Sequence, residues 1–487
     1  MKRLIAIIFA LIMIVAMVGC GKKKRIPIEL TLSTEDSEAI LRAAGITLPD
    51  EETALGANST VTWFSWYDNF HNYKENEVVN TGYWTFTNKY HGTIEYSETT
   101  YENFRDDLAN LLLAGTPPDF TPTGISQIMV FPMACIKGTY QSIDAYIDYT
   151  SPLYEGMADA AEYFALGDQH FAIINDLTFK DVVPYNRRVI EEWGFDDPAE
   201  LYANDEWTWD KVTEMALDFS DGDENRYAFD GWYVPMACAE QSTGQYIIQK
   251  DENGKYYSNI DDPLIETAED MIYQWVKDDL FYHEGSDYWA NRNDAQYGAG
   301  VKDGKCLFWM CDISGFRLPL DEMEDIWGDM SQGEFMFVPL PRHESGDGNY
   351  YLSANPTGYM MVKNAPNPDG VALLAMCERF KIVDPTVVSI DKKQLKEKYL
   401  WTDEMLDMYD HCNELVQANV RIYNTGDIPT NLRTAYDHLD WDIRRGGAAK
   451  TWSQLKEQYS EQMDYYCDEL NTYIDEFIST GSVEGLT

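Results

Sequence analysis

Basic side chains are scarce in this sequence of 487 residues. It contains 37 Lys and Arg against 83 Asp and Glu, and its formal net charge is −46 at pH 7. Proteins that bind nucleic acid need clustered basic side chains to neutralise phosphates, so we do not expect a nucleic-acid partner. We interpret the acidity mainly as a source of solubility and of repulsion between molecules, and secondarily as a feature that disfavours anionic ligands.

Catalytic and metal-binding motifs are also missing. The sequence contains no HExxH, GxSxG, Walker or Rossmann glycine motif, and its seven His and eight Cys lack the spacing of metal ligands. The acidic stretch 221–225 does not fit an EF-hand loop, because Trp232 stands where the twelfth position needs Glu. We therefore predict neither a metal nor a cofactor. An enzyme is not excluded, since glycosidases need only two carboxylates and this chain has many.

The first twenty residues have the pattern of an export signal. Lys2 and Arg3 precede an apolar run, 4–18, that is shorter than the roughly 20 residues of a membrane-spanning helix. The ending Met17–Cys20 resembles a bacterial lipobox, and the basic spacer 21–25 suits anionic headgroups. We predict that residues 1–19 are removed and that lipidated Cys20 anchors the protein to the outer face of the cell membrane. Ordinary secretion with an unmodified Cys20 is the alternative.

The stretch 104–120 predicts a helix, a turn and a strand. Thr100 is placed to cap the helix, Gly115 to end it, and Asp119 to precede the strand. The apolar stripe of this helix is Phe104, Leu108, Leu111 and Leu112. Similar alternation of short strands and longer helices continues along the chain, which predicts an α/β fold with a mainly parallel sheet.

Aromatic side chains accompany Asp at several predicted strand ends. The chain has 14 Trp, 33 Tyr and 20 Phe. Ligands of α/β sheets bind beyond the carboxyl ends of strands, and sugar rings pack on aromatic faces while their hydroxyls bond to carboxylates. The candidate ligand-binding residues from this argument are Trp66, Asp68, Asp119, Trp232, Asp312 and Phe316. Core packing is the ordinary alternative for any single Trp, and we favour it for Trp63 and Trp309, which lie inside predicted strands.

A series of short motifs resembles the extracellular solute-binding proteins of ABC sugar importers, the family typified by maltose-binding protein. They include LLLAGTPPDF at 111–120, YQSIDAYI at 140–147, GDQHFAI at 167–173, VPYN at 183–186, EWTWD at 206–210 and TGYMMV at 357–362. Their common order along the chain is the basis of the resemblance. It implies a type II periplasmic-binding-protein fold with two lobes, a hinge crossed three times, and a monomer without catalytic activity.

The resemblance also implies domain boundaries and a role. Residues 20–58 would form the tether and an N-terminal extension, 59–172 with 359–424 the first lobe, and 173–358 with 425–487 the second. Asp176 and Tyr359 then lie at the predicted crossings and join the candidate ligand-binding residues. The implied function is to bind a carbohydrate between the lobes and deliver it to ABC permease subunits.

Other functions remain open on the sequence alone. A secreted carbohydrate-active enzyme could use two of the many carboxylates. The same fold could also serve as a surface adhesin or sensor component. A peptide or a cationic ligand is a further alternative, because acidic and aromatic groups also bind quaternary ammonium.

Overall fold

A computed structural model describes residues 31–51, 60–71, 77–123, 131–230, 234–283, 300–423, 428–443 and 449–483. Cys20 and Trp232 lie outside the described residues, as does the third predicted crossing at 424/425. Among the helices of the described ranges, none combines the length and the apolar character that a membrane crossing needs.

Short strands and longer helices alternate through these ranges, as the sequence predicts. The strands are β1 Thr60–Ser65, β2 Thr93–Glu98, β3 Phe120–Pro122, β4 Ala165–Leu166, β5 Gln169–His170, β6 Ala172–Phe179, β7 Val183–Asn186, β8 Tyr227–Phe229, β9 Ile248–Lys250, β10 Tyr256–Ser258, β11 Cys306–Phe308, β12 Phe335–Val338 and β13 Ala354–Met361. The helices are α1 Thr34–Thr47, α2 Thr81–Tyr90, α3 Phe104–Leu113, α4 Met133–Ile136, α5 Ala158–Tyr163, α6 Arg187–Glu192, α7 Pro198–Ala203, α8 Trp209–Phe219, α9 Val234–Ser242, α10 Pro263–Lys277, α11 Leu320–Trp327, α12 Pro368–Val383, α13 Pro385–Tyr399, α14 Asp403–Ala418, α15 Thr430–Ile443 and α16 Trp452–Thr480.

The largest described sheet has five strands in the order β2-β1-β3-β13-β6. β1 is parallel to β2 and β3, whereas β13 is antiparallel to both β3 and β6. Four strands therefore run in one direction and only β13 opposes them, so the prediction of a mainly parallel sheet is confirmed. The carboxyl ends of β1 and β3 share one edge of this sheet.

Helix α3 confirms most of the local prediction for 104–120. Phe104 and Leu108 are buried against the sheet at 1% and 2% exposure. Gly115 has the expected left-handed backbone, with φ of 72°, so the chain can turn into β3. The predicted cap was wrong, because Asn103 occupies the N-cap position without a side-chain hydrogen bond. Thr100 Oγ1 instead accepts a bond from Asn103 N at 3.2 Å, one turn earlier.

A second group of strands and helices packs around its own apolar core. β7 pairs antiparallel with β12, and β8 pairs parallel with β11. Trp207 and Trp275 are fully buried there, and the Trp275 ring stacks on Phe229 with centroids 4.2 Å apart. Thr208 caps α8 by accepting a hydrogen bond from Lys211 N.

Two long strands connect these groups. β6 begins in the five-stranded sheet and its end leads into β7, while β13 returns beside it in antiparallel register from Ala354 opposite Phe179. Past that pair, Lys180 N donates to Ser353 O at 2.8 Å. The register shifts between Thr357 and Gly358, so the paired strands carry a bulge between the two groups.

A buried carboxyl between α2 and α13 provides a test of the packing of the first group. Thr81 Oγ1 donates to the two oxygens of Asp391 at 3.1 and 3.0 Å. Burial raises the pKa of Asp391 from 3.8 to about 6, although the charges of Lys381 and Arg317 oppose the shift. The folded protein therefore holds this proton more tightly than the unfolded chain, so stability is lost as the pH rises from 3.8 to about 6.

We expect Asp391→Asn to remove this loss, because the amide stays neutral at every pH. The free energy of unfolding should rise at pH 8 by up to about 3 kcal/mol, the equivalent of a shift of roughly two pKa units. It should change little at pH 4, where the wild-type carboxyl is largely protonated when folded. Urea denaturation at both pH values measures the difference, and an equal effect at both would contradict the assignment.

Candidate ligand-binding cleft

The first wall of the candidate site is an aromatic surface that follows β1. Trp66 is half-buried, and its ring meets those of Tyr67, Tyr101 and Phe104 edge-on, with centroids 4.9, 5.6 and 5.4 Å away. Tyr101 is 41% exposed. Tyr67 is also half-buried, and burial raises its pKa. The sequence argument found Trp66 here but missed the two tyrosines.

Asp68 lies in the same loop but its oxygens are engaged. The side chain is only 6% exposed, and Oδ1 accepts bonds from Phe70 N at 3.0 Å and from the backbone and ring of His71 at 3.1 and 3.0 Å. Burial alone would raise the pKa of Asp68, but the hydrogen bonds from His71 and Phe70 outweigh it and hold the pKa below its ordinary value. Asp68 thus fixes the conformation of the loop that carries Trp66.

Asp119 and Tyr359 lie beneath this edge. Asp119 is 2% exposed, and its two oxygens accept bonds from Thr62 N at 2.7 Å and Asn367 N at 2.5 Å. It therefore joins β1 to the start of α12, and burial raises its pKa. Tyr359 is 8% exposed, and its ring contacts Phe120 with centroids 4.9 Å apart. Both side chains belong to the support of the aromatic surface in this conformation.

The second wall is polar and is built at the carboxyl ends of β8 and β11. These strands are parallel, so Asp230 and Asp312 follow them at one edge. Val182 N donates to Cys311 O at 3.1 Å, which brings Asp181 beside Asp312. Asp312 caps the 3₁₀ turn Ile313–Gly315: its Oδ1 accepts bonds from Ser314 N at 2.8 Å and from Ser314 Oγ at 2.5 Å.

Two further side chains complete this wall. Gln241, 1% exposed, donates from Nε2 to Asp181 Oδ2 at 2.9 Å. Lys180 Nζ lies 3.2 Å from the same oxygen. Burial raises the pKa of Asp312, and the nearby charge of Asp181 adds to the shift. The sequence argument named Asp312 but not Asp181 or Gln241, although Asp181 follows the first predicted crossing by a few residues.

The structure contradicts the predicted role of Phe316 as an open ligand contact and supports the predicted core position of Trp309. Phe316 is fully buried, with ring centroids 4.8 Å from Phe337 and 5.5 Å from Phe335, so it has no face open to a ligand in this conformation. Trp309 is 8% exposed and stacks on Trp327 at 5.4 Å, which confirms the expected core position. Trp232 lies outside the described residues.

Asp176 lies on β6 between the two walls. It is half-buried, and burial raises its pKa while the positive charge of Arg379 opposes the shift. Six residues of β6, 174–179, separate the two strand edges, which corresponds to roughly 20 Å of extended chain. The geometry places an aromatic wall and a carboxylate wall at opposite ends of the connecting strands. Among the described residues, no group of His, Cys, Asp and Glu is arranged to hold a metal ion.

Comparison with solved structures identifies this architecture. An ABC-transporter solute-binding protein from Thermotoga lettingae, bound with α-D-tagatose, superimposes with a TM-score of 0.57 at 14% identity, covering 84% of this chain and 100% of the other. The chain has the two-lobed solute-binding-protein fold. A substrate-binding protein from Listeria monocytogenes in complex with cycloalternan gives 0.55 at 12% identity, covering 85% and 99%. The galacto-N-biose/lacto-N-biose I-binding protein of Bifidobacterium longum gives 0.56 at 13% identity, covering 86% and 98%.

Comparisons of the sequence alone find no relative of this chain. No protein-family profile matches it, and no curated protein sequence does so either. Among the described residues, the five-stranded sheet forms one group of strands, and the β7/β12 and β8/β11 pairs form another. The aromatic wall lies in the first of these groups and the carboxylate wall in the second, and β6 and β13 connect the two groups.

Proposed function

We propose that this protein binds a carbohydrate between its two lobes and delivers it to an ABC importer. The observation that carries the proposal is the pair of walls, one with the half-exposed rings of Trp66 and Tyr101, the other with the carboxylates of Asp181 and Asp312. Sugars present C–H faces to rings and hydroxyls to carboxylates, so they suit both walls. The similar structures named above include proteins bound with tagatose, cycloalternan and lacto-N-biose.

Closure of the lobes is the mechanism that fits this arrangement. We place the first lobe at 59–172 with 359–424 and the second at 173–358 with 425–487. The bulge at Thr357 and Gly358 interrupts the regular pairing of the connecting strands, so a hinge can bend there with little loss of hydrogen bonds. Asp176, between the walls, would be covered as the lobes close. The closed form would present a surface that permease subunits recognise.

The remaining features of the proposal concern location and activity. The protein acts as a monomer on the outer face of the cell membrane, held by lipid on Cys20 after removal of residues 1–19. It has no catalytic activity, because its task is to release the sugar unchanged to the importer. Trp66, Asp176 and Asp312 remain the proposed ligand contacts, with Asp68, Asp119 and Tyr359 holding the loop and strand ends in place. Trp232 and Phe316 are not among the proposed ligand contacts.

Thermal melting against a panel of sugars and oligosaccharides tests this function. A ligand that binds only the folded protein stabilises it by about 2.7 kcal/mol at a concentration of 100 times its Kd, so one glycan should raise Tm by several degrees. Chromatography of the same mixture should recover the glycan unchanged. Hydrolysis of the glycan would instead indicate a carbohydrate-active enzyme, and a shift with a betaine or a peptide but with no carbohydrate would contradict the proposal.

A further inference from the structure

The second wall contains acceptor oxygens that have no hydrogen-bond donor among the described residues. Gln241 donates a hydrogen bond from Nε2 to Asp181, but its Oε1 has no hydrogen-bond partner among the described residues even though Gln241 is 1% exposed. A buried acceptor left in this state costs about 1–3 kcal/mol. Both described hydrogen bonds to Asp312 end on Oδ1, which leaves Oδ2 available. Gln241 Oε1 and Asp312 Oδ2 thus have no donor among the described residues of this wall, and a ligand is a natural source of one.

The charges of this wall are also unequal. Lys180 supplies one positive charge, 3.2 Å from Asp181 Oδ2, against the two carboxylates of Asp181 and Asp312. Among the described residues of this wall, carboxylates thus outnumber cations, in agreement with the raised pKa of Asp312. A cationic ligand group would balance it, whereas a ligand carboxylate would be repelled.

We infer that the cluster of Asp181, Asp312 and Gln241 receives an ammonium group, and that the transported carbohydrate is an amino sugar with a free, protonated amine. This inference rests on the proposed function and specifies its ligand class. An ammonium group has three N–H donors and no acceptor, which matches a wall of acceptors. A hydroxyl has one donor, and its lone pairs would face the carboxylates. An acetamido group has one N–H donor and no charge.

Isothermal titration calorimetry on matched sugars tests the inference. The probes are sets that differ only at one carbon, such as glucose, glucosamine and N-acetylglucosamine, with the corresponding galactose set and the β-1,4-linked disaccharides of each. In the set that binds, the amine form should bind at least 10-fold more tightly than the hydroxyl and acetamido forms. Added salt should weaken binding of the amine form only, since the contact is between charges.

Two variants give a matched comparison. Asp312 and Asp329 each precede a 3₁₀ turn, and each accepts hydrogen bonds from the backbone N and the hydroxyl of the serine two positions later. These serines are Ser314 for Asp312 and Ser331 for Asp329. Only Asp312 lies in the cleft. Asp312→Asn keeps the cap but removes the charge, so it should reduce the preference for the amine to less than 3-fold, while Asp329→Asn should leave it unchanged. Melting temperatures of both variants monitor folding.

The outcomes separate this inference from the proposed function. If neutral sugars bind as tightly as their amine forms, or if Asp312→Asn weakens both forms equally, the ammonium assignment is overturned while the proposed function stands. If no carbohydrate of any set binds, both are overturned. A preference for the amine that survives Asp312→Asn would place the ammonium elsewhere and would also overturn the assignment.

Discussion

Replacement of Gly358 by alanine is expected to destabilise the protein by about 4 kcal/mol or more. A Cβ at this position would lie 1.8 Å from Ile173 O and 3.2 Å from Asn175 N, both backbone atoms of the paired strand β6. Atoms of a hydrogen-bonded strand cannot move aside as the end of a flexible side chain can. The two connecting strands would have to separate at the bulge, and losses of this size come from such clashes in packed regions.

Gly45→Ala is the control for this substitution. Gly45 lies inside α1, and no atom is within 4 Å of the position that an alanine Cβ would take, so alanine there should stabilise the helix by about 0.5–1 kcal/mol. Urea denaturation of the two variants and the wild type measures both effects. An unchanged midpoint for Gly358→Ala would show that β6 and β13 are not in close contact at this bulge, and would remove the structural basis of the proposed hinge.

Local signals in the sequence were sufficient for most individual elements. Asn186 and Thr208 are residue types that favour N-cap positions, and each caps a helix, because a cap depends on residues within three positions. The Asn-Gly pair at 253–254, a sequence that favours hairpin turns, lies in the turn between β9 and β10, with Gly254 at a φ of 74°. The final helix, α16, begins at Trp452, directly after its capping residue Thr451. In each case the determining contacts lie within one or two turns.

The candidate site depends on contacts that local patterns do not contain. Asp119 looked like an open carboxylate at a strand end, but Asn367, 248 residues later, occupies one of its oxygens. Phe316 follows a turn and looked available, yet Phe335 and Phe337 come from another strand to bury it. The pairing of Asp181 with Gln241 likewise joins residues 60 positions apart. Strand ends could be located from the sequence, but not which side chains at those ends remain open.

Trp66→Ala is expected to weaken binding of the transported sugar by about 10- to 100-fold. Removing a large apolar contact surface costs about 1.5–3 kcal/mol, and about 1.4 kcal/mol corresponds to a factor of ten in Kd. The Trp66 ring is held by edge contacts with Tyr67 and Tyr101, so it can meet a ligand without reorganising. The sugar found by thermal melting serves as the ligand in titration calorimetry.

Trp193→Ala is the matched control, because it removes a half-exposed tryptophan whose described ring contacts are with Phe195, Phe219 and Arg226 and not with either wall. Trp193 is 38% exposed, and the guanidinium of Arg226 lies 4.5 Å from its ring centroid. Loss of that contact should lower Tm but leave Kd unchanged, whereas Trp66→Ala should change Kd by much more than it changes Tm. If both variants alter Kd equally, the effect is on folding rather than on the ligand. The aromatic surface would then have no direct role in binding.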